Sequence, residues 1–384
     1  MNSEIKPFEI AIPQADLDDL KQRLQRTRFP DRELVEDGSQ GAPLDKVRKL
    51  VEYWRTHYDW RRCEAFLNSM DQFTTCIDGI EIYFLHVRSP NPNAIPMLMT
   101  HGWPGSVTEF FKVIGPLSDP ASHGGNPADA FHLVIPALPG FGFSGKPLET
   151  GWNAHRIAAA WPELMQRLGY RDYVAQGGDW GGIITTYMGH NAPAGLKAIH
   201  LNLGMVVPPP PYDDPTPTEL AMLQTLEHFA AWESGYAAIQ GTRPQTLGYG
   251  LADSPVGQAA WIYEKFQRFT DSDLEPLNAL TYDELLDNIM LYWLTNSATS
   301  AARIYWESDL NGFRAVDIDI PVGYTVFPKE AFRIPRSWAD RCMSNIIYWN
   351  EVDKGGHFAA VEQPEIFVDE VRACFRQLRK SWPN

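Results

Sequence analysis

The chain is short of three things, and each shortage speaks against a class of protein. Only four cysteines occur in 384 residues, Cys63, Cys76, Cys342 and Cys374, scattered and without a CxxC pair. That spacing argues against a disulfide framework or a zinc site and fits a reducing, cytoplasmic setting. Apolar runs long enough to span a bilayer are missing, and acids appear early in "MNSEIKPFEIAIPQADLDDL", so neither a membrane anchor nor a secretory leader is expected. Positive charge is also scarce. The 33 Lys and Arg stand against 48 Asp and Glu, a formal net charge of −15, which argues against nucleic acid as a partner. What the chain does have is core-forming material, 44% hydrophobic residues including 12% aromatics. The aromatics suit core packing and an apolar ligand pocket alike.

The pattern of apolar residues changes three times. Residues 1–93 read as helices followed by a hairpin: "QADLDDLKQRLQRTRF" and "LDKVRKLVEYWRTHY" carry apolar residues at helical spacing, and "FTTCIDGIEIYFLHV" alternates around Asp78-Gly79. Residues 94–206 repeat a strand, a glycine turn and a helix, in "IPMLMTHGWPGS", "AFHLVIPALPGFGFSGKP" and "RDYVAQGGDWGG". That rhythm predicts a mostly parallel sheet flanked by helices. The proline run in "MVVPPPPYDDPTPTEL" stops it, and residues 207–317 read as an almost wholly helical lid. Strand and loop resume over residues 318–384, in "IPVGYTVFPKE" and "NIIYWNEVDKGGHFAA". The expectation is an α/β core interrupted by a helical lid and preceded by an N-terminal extension.

Three loops carry residue types suited to acyl chemistry. In "GGDWGG" small residues flank Asp179 between a strand and a helix, the pattern of a nucleophile elbow, whose tight bend leaves no room for larger neighbours. The helix N-terminus favours an anion there, so Asp179 is expected as an ionised nucleophile, although Asp is also an ordinary helix cap. In "THGWPGS" the backbone N–H of Trp103, with that of Trp180 beside the elbow, forms a candidate oxyanion hole, and His101 is expected to shape the turn. In "DKGGHFAA" His357 follows the last strand, where a hydrolase carries its general base. Glu330, after the strand in "VGYTVFPKE", is the expected partner acid of that base, with Asp353 and Asp340 as competitors.

The order acid nucleophile, acid, histidine resembles the epoxide hydrolase branch of the α/β-hydrolase superfamily, in particular its microsomal-type and fungal or bacterial members with an N-terminal extension. The resemblance runs through "FEIAIPQADLDDLKQRLQRTRFP", "HGWPGS", "PALPGFGFSGKP", "GGDWGG", "ESGYAAIQGTRPQTLGYGLADSPVG" and "GGHFAA", nearly the whole chain. It implies the α/β-hydrolase fold and hydrolysis of an epoxide to a vicinal diol through an ester on Asp179, with neither cofactor nor metal. It also implies two lid phenols on the epoxide oxygen, Tyr236 in "ESGYAAIQ" and Tyr305 in "ARIYWES", with Tyr292 as a rival to Tyr305. A bulky or aromatic small-molecule epoxide is the expected substrate, and relatives that dimerise suggest a homodimer. Three alternatives remain. Haloalkane dehalogenases share the Asp nucleophile, and Trp180 suits a halide site. A serine esterase lacks its serine at this elbow. A ligand-binding homologue without catalysis would not need the whole set.

Overall fold

The computed structural model describes residues 4–204, 206–308, 314–379 and 382. The other residues, among them 205 in the proline-rich boundary and 309–313 near the expected end of the lid, lie outside the described residues. A single nine-stranded sheet organises the chain, in the order β1-β2-β3-β5-β4-β6-β7-β8-β9. The strands are β1 (Ile5–Pro7), β2 (Gln72–Ile77), β3 (Ile80–Val87), β4 (Ile95–Thr100), β5 (Phe131–Pro136), β6 (Tyr173–Gly177), β7 (Leu196–Leu201), β8 (Val322–Val326) and β9 (Ile346–Glu351). The first three pair antiparallel and β3 joins β5 antiparallel; every pairing from β5 through β4 to β9 is parallel.

Strands β4, β6 and β8 are buried along their whole length. That is why they read as unbroken apolar runs and not as alternations: helices cover both faces of a parallel sheet. Helices Ala154–Arg167 and Asp179–Asn191 pack together on one side, and Phe111–Ser118 and Pro364–Arg376 on the other. The helix after β6 is buried all round from Trp180 to Gly189.

The hairpin expected at Asp78-Gly79 is β2–β3, with both turn residues at positive φ. Its placement is less expected: instead of standing in a separate module it extends the central sheet through β5. Between β7 and β8 comes the helical insertion. Its helices begin with the chemistry helix starts need. Pro217, Pro244 and Pro255 stand in the first turns, and Thr216 and Thr281 close capping boxes with Glu219 and Glu284.

Two sets of contacts hold this lid. Buried Glu219 accepts from Ser337 and Arg341 of the core at 2.8 Å each. From behind, the N-terminal helices reach helix Tyr282–Leu294. Arg62 and the Tyr58 hydroxyl both bond Asp287, at 2.6 and 2.7 Å, and the Tyr53 hydroxyl bonds Asp283 at 3.0 Å. Asp287 is 4% exposed, so losing either partner would leave a buried charge short of its hydrogen bonds.

Candidate active site

Strand β6 ends at Gly177, and the chain turns into helix Asp179–Asn191 through Asp179 at φ +52°. A non-glycine residue in this left-handed region is held there by its surroundings. The surroundings explain the glycines. A Cβ on Gly181 would collide with the carbonyl oxygen of Thr100, and one on Gly102 with the Asp179 carboxylate itself. Small residues are therefore required where the elbow meets the loop after β4.

Both carboxylate oxygens of Asp179 are engaged. The backbone N–H of Trp103 donates to Oδ1 at 2.7 Å, and His357 Nε2 lies 3.2 Å from Oδ2. Trp180 is the first residue after Asp179, in the opening turn of the helix, with its side chain buried. Behind the histidine, Nδ1 donates to Glu330 Oε1 at 2.7 Å, and that oxygen also accepts from the Ala331 N–H. Among the described residues no other carboxylate meets Nδ1. Asp340 pairs with Arg336 on the surface, and Asp353 is exposed. Of the three acids, Glu330 is the one that lies beside His357.

The His357 loop is pinned by contacts that no local pattern announced. Glu362 accepts from the N–H groups of Phe358, Gly356 and Asp271, at 2.8, 3.1 and 2.7 Å. The His357 N–H donates to the carbonyl of Phe269, the last residue of a lid helix, at 2.9 Å. The His357 loop is therefore docked on the lid as well as on the core. His101 has a different part: its two ring nitrogens meet the Gly102 carbonyl and the Leu138 N–H, and burial holds it down at about 4, so it stays neutral within its loop.

Tyr236 and Tyr305 descend from two lid helices onto the same spot. Tyr236 stacks on the Trp103 indole with centroids 5.0 Å apart. Tyr305 stands edge-on to Trp180 at 4.8 Å and to Tyr236 at 5.8 Å. Burial and the nearby charge of Asp179 raise both phenols far above the usual tyrosine range, so both carry their protons. Tyr292 is turned elsewhere, its hydroxyl spent on the Gly105 carbonyl at 2.7 Å. The two tyrosines stand on different lid helices, Tyr282–Leu294 and Ala298–Glu307.

These groups line one cavity of about 870 Å³, walled by Asp179, His357, Tyr236 and Tyr305 with Phe229, Phe269, Phe332 and Ile183. Among the described residues no group of His, Cys, Asp and Glu is arranged to hold a metal ion, and no helix is long and apolar enough to cross a membrane.

Burial alone would lower the pKa of His357, but the charges of Glu330 and Asp179 outweigh it and hold the imidazole well above its ordinary 6.5. Glu109, half-buried against the Gly102 and Ser106 backbone, is pushed by burial up to about 8. Both groups keep, when folded, a proton that the unfolded chain releases at lower pH. Glu109 does so above its ordinary 4.5 and His357 above its ordinary 6.5, so the stability these two contribute is full on the acid side and falls as pH rises. The buried neutral histidines His86, His101 and His200 act in the opposite sense below about pH 7, so thermal melts between about pH 7 and pH 9 should show Tm falling toward alkali, and Glu109→Gln should flatten the fall. A Tm that climbs toward pH 9 would contradict these protonation states.

Comparison with known proteins follows the same lines. Residues 5–110 match the family described as Epoxide hydrolase N terminus, and residues 95–252 match the alpha/beta hydrolase fold. The chain is 59% identical over 376 residues to a protein of Stigmatella aurantiaca (strain DW4/3-1) that carries the provisional name epoxide hydrolase, covering 98% of this chain and 86% of that one. It is 35% identical to Epoxide hydrolase 1 of Sus scrofa, covering 97% and 88% of the two chains. Among solved structures it is similar to the juvenile hormone epoxide hydrolase of the silkworm Bombyx mori, with TM-score 0.89 and 30% identity over 99% of this chain and 96% of that one. It is likewise similar to the Aspergillus niger epoxide hydrolase, with TM-score 0.86 and 33% identity over 98% and 97%.

Proposed function

This chain belongs to the epoxide hydrolases of the α/β-hydrolase fold, and from that premise we propose that it forms vicinal diols through an ester on Asp179. The observation that carries the reading is the engagement of one carboxylate by an amide on Oδ1 and by a Glu330-backed histidine on Oδ2, beneath two protonated phenols.

In the first step Oδ2 attacks a ring carbon and the strained C–O bond breaks. The leaving oxygen takes a proton from Tyr236 or Tyr305, whose hydroxyls converge in the cavity. Oδ1, held by Trp103, becomes the carbonyl oxygen of the ester. Esterification removes the negative charge of Asp179, and with it one of the two carboxylates that keep the proton on His357. The imidazole then gives that proton up, replacing the one the phenol lost, and becomes a base. In the second step it takes a proton from water, which attacks the ester carbon. The Trp103 and Trp180 amides stabilise the oxyanion on Oδ1, each donor contributing ~3 kcal/mol. The diol leaves carrying the original Oδ2, and water oxygen takes its place on Asp179.

Serine at this elbow would yield an ether that water does not cleave; a carboxylate yields a hydrolysable ester. The side chain of Trp180 is engaged with Tyr305, which counts against a halide site. The aromatic walls favour a bulky or aryl-substituted epoxide. Tyr236→Phe is expected to slow ring opening about 10- to 100-fold, less than a complete loss because Tyr305 keeps its hydroxyl. Rapid-mixing measurement of the ester-forming phase reads this directly, and an unchanged rate would remove Tyr236 from the scheme.

A further inference from the structure

Lys265 is a cation in a place where cations are seldom left. It lies in the helix Pro255–Phe269, is 3% exposed, and the side chain of its neighbour Glu264 is the acid that meets it, at 2.7 Å. The ammonium does not turn outward along its stem. It sits 4.2 Å from the ring centroid of Tyr236 and 5.2 Å from that of Phe269. Removing an ammonium from water costs several kcal/mol, so a lysine held against two aromatic faces is stabilised there by those faces and its one ion pair.

We infer that Lys265 is a positioning residue that makes Tyr236 a stronger proton donor to the opening epoxide oxygen. The inference rests on the reading of Tyr236 as a donor. A cation over the face of a phenol draws density from the ring and stabilises the phenolate that donation produces. Asp179, Glu264 and Glu330 all oppose loss of its proton. The ammonium of Lys265 stands against these acids as the phenol becomes an anion. The same helix ends at Phe269, whose carbonyl holds the His357 N–H. One lid element thus carries the cation that tunes the acid and the anchor that holds the base.

The test is a double-mutant cycle read step by step. Lys265→Met is expected to slow ester formation about tenfold, the size a water-poor cation–π contact supplies, and to leave ester hydrolysis within about twofold. Lys265→Arg should recover most of the lost rate. In a Tyr236→Phe background Lys265→Met should cost less than about twofold, because the group it acts through is gone. If Lys265→Met slows both steps alike, or costs as much in the Tyr236→Phe background as in the wild type, the lysine is only packing and the inference fails. A ring-opening rate within twofold of wild type in Lys265→Met overturns it too. Should the Met variant not fold, Lys265→Gln is read in the same way. Tyr236→Phe with wild-type ring opening would instead sink the phenol's role, so the two failures are distinguishable.

Discussion

Asp179→Ala is expected to lower diol formation by at least about 10⁴-fold, the scale on which covalent catalysts lose activity when the nucleophile is removed. The fold should tolerate the change. The substitution removes a side chain that is 21% exposed toward the cavity and leaves the glycines that build the elbow in place. Its local effect on the base is opposite in kind: the imidazole loses one of the two carboxylates that hold its proton. A variant that melts like the wild type yet forms no diol supports the nucleophile assignment; one that retains full activity ends it. Isotope gives a second, independent reading. In a single turnover in ¹⁸O water the label belongs in the peptide containing Asp179, because the water attacks the ester carbon and the original Oδ2 departs with the product. Label confined to the diol would mean direct attack of water on the ring.

His357→Gln separates the steps from the other side. Ring opening needs a carboxylate and a proton donor, both still present, so the variant should consume about one equivalent of epoxide. Water activation is lost, and ester hydrolysis should slow roughly 10⁴-fold. The expected product is a stable covalent adduct, visible as a mass increase equal to the substrate on the peptide that bears Asp179. Glutamine keeps much of the volume of the ring and lets Glu330 retain a donor. Steady turnover without any adduct would mean that the imidazole is not the base.

Much of this was legible in the sequence because it is local. An elbow is a few residues long, and its glycines are demanded by backbone that comes within contact distance, Thr100 over Gly181 being the clearest instance. The same holds for the loops around Trp103 and His357, and for the buried strands, whose apolar runs follow from having helices on both faces. Three things were not legible. The choice between Tyr305 and Tyr292 depends on how two separate lid helices sit over the cavity, and Tyr292 finds another acceptor, Gly105. Phe269 lies four residues on from Lys265 in the same helix, but Tyr236 comes from another helix, and no local pattern announces that the lysine is buried against it. Strand β1, only three residues long, pairs with residues some seventy positions away, and short windows carry no trace of that register. Glu362 lies between these cases: it falls within the stretch that holds His357, five residues on from it, yet only the fold reveals its three N–H partners.

The way β1, β2 and β3 extend the sheet through β5 bears on how the molecule is made. Synthesis delivers this hairpin and its preceding helices first, but the strand that completes the pairing, Phe131–Pro136, and the lid acids Asp283 and Asp287 are translated much later. Until then the helices carrying Leu50, Trp54 and Leu67, each residue at most 4% exposed in the finished protein, lack the lid helices Pro255–Phe269 and Tyr282–Leu294 that they pack on. The first quarter of the chain is therefore secured only after the lid has been made, and the nascent polypeptide must remain soluble while it waits.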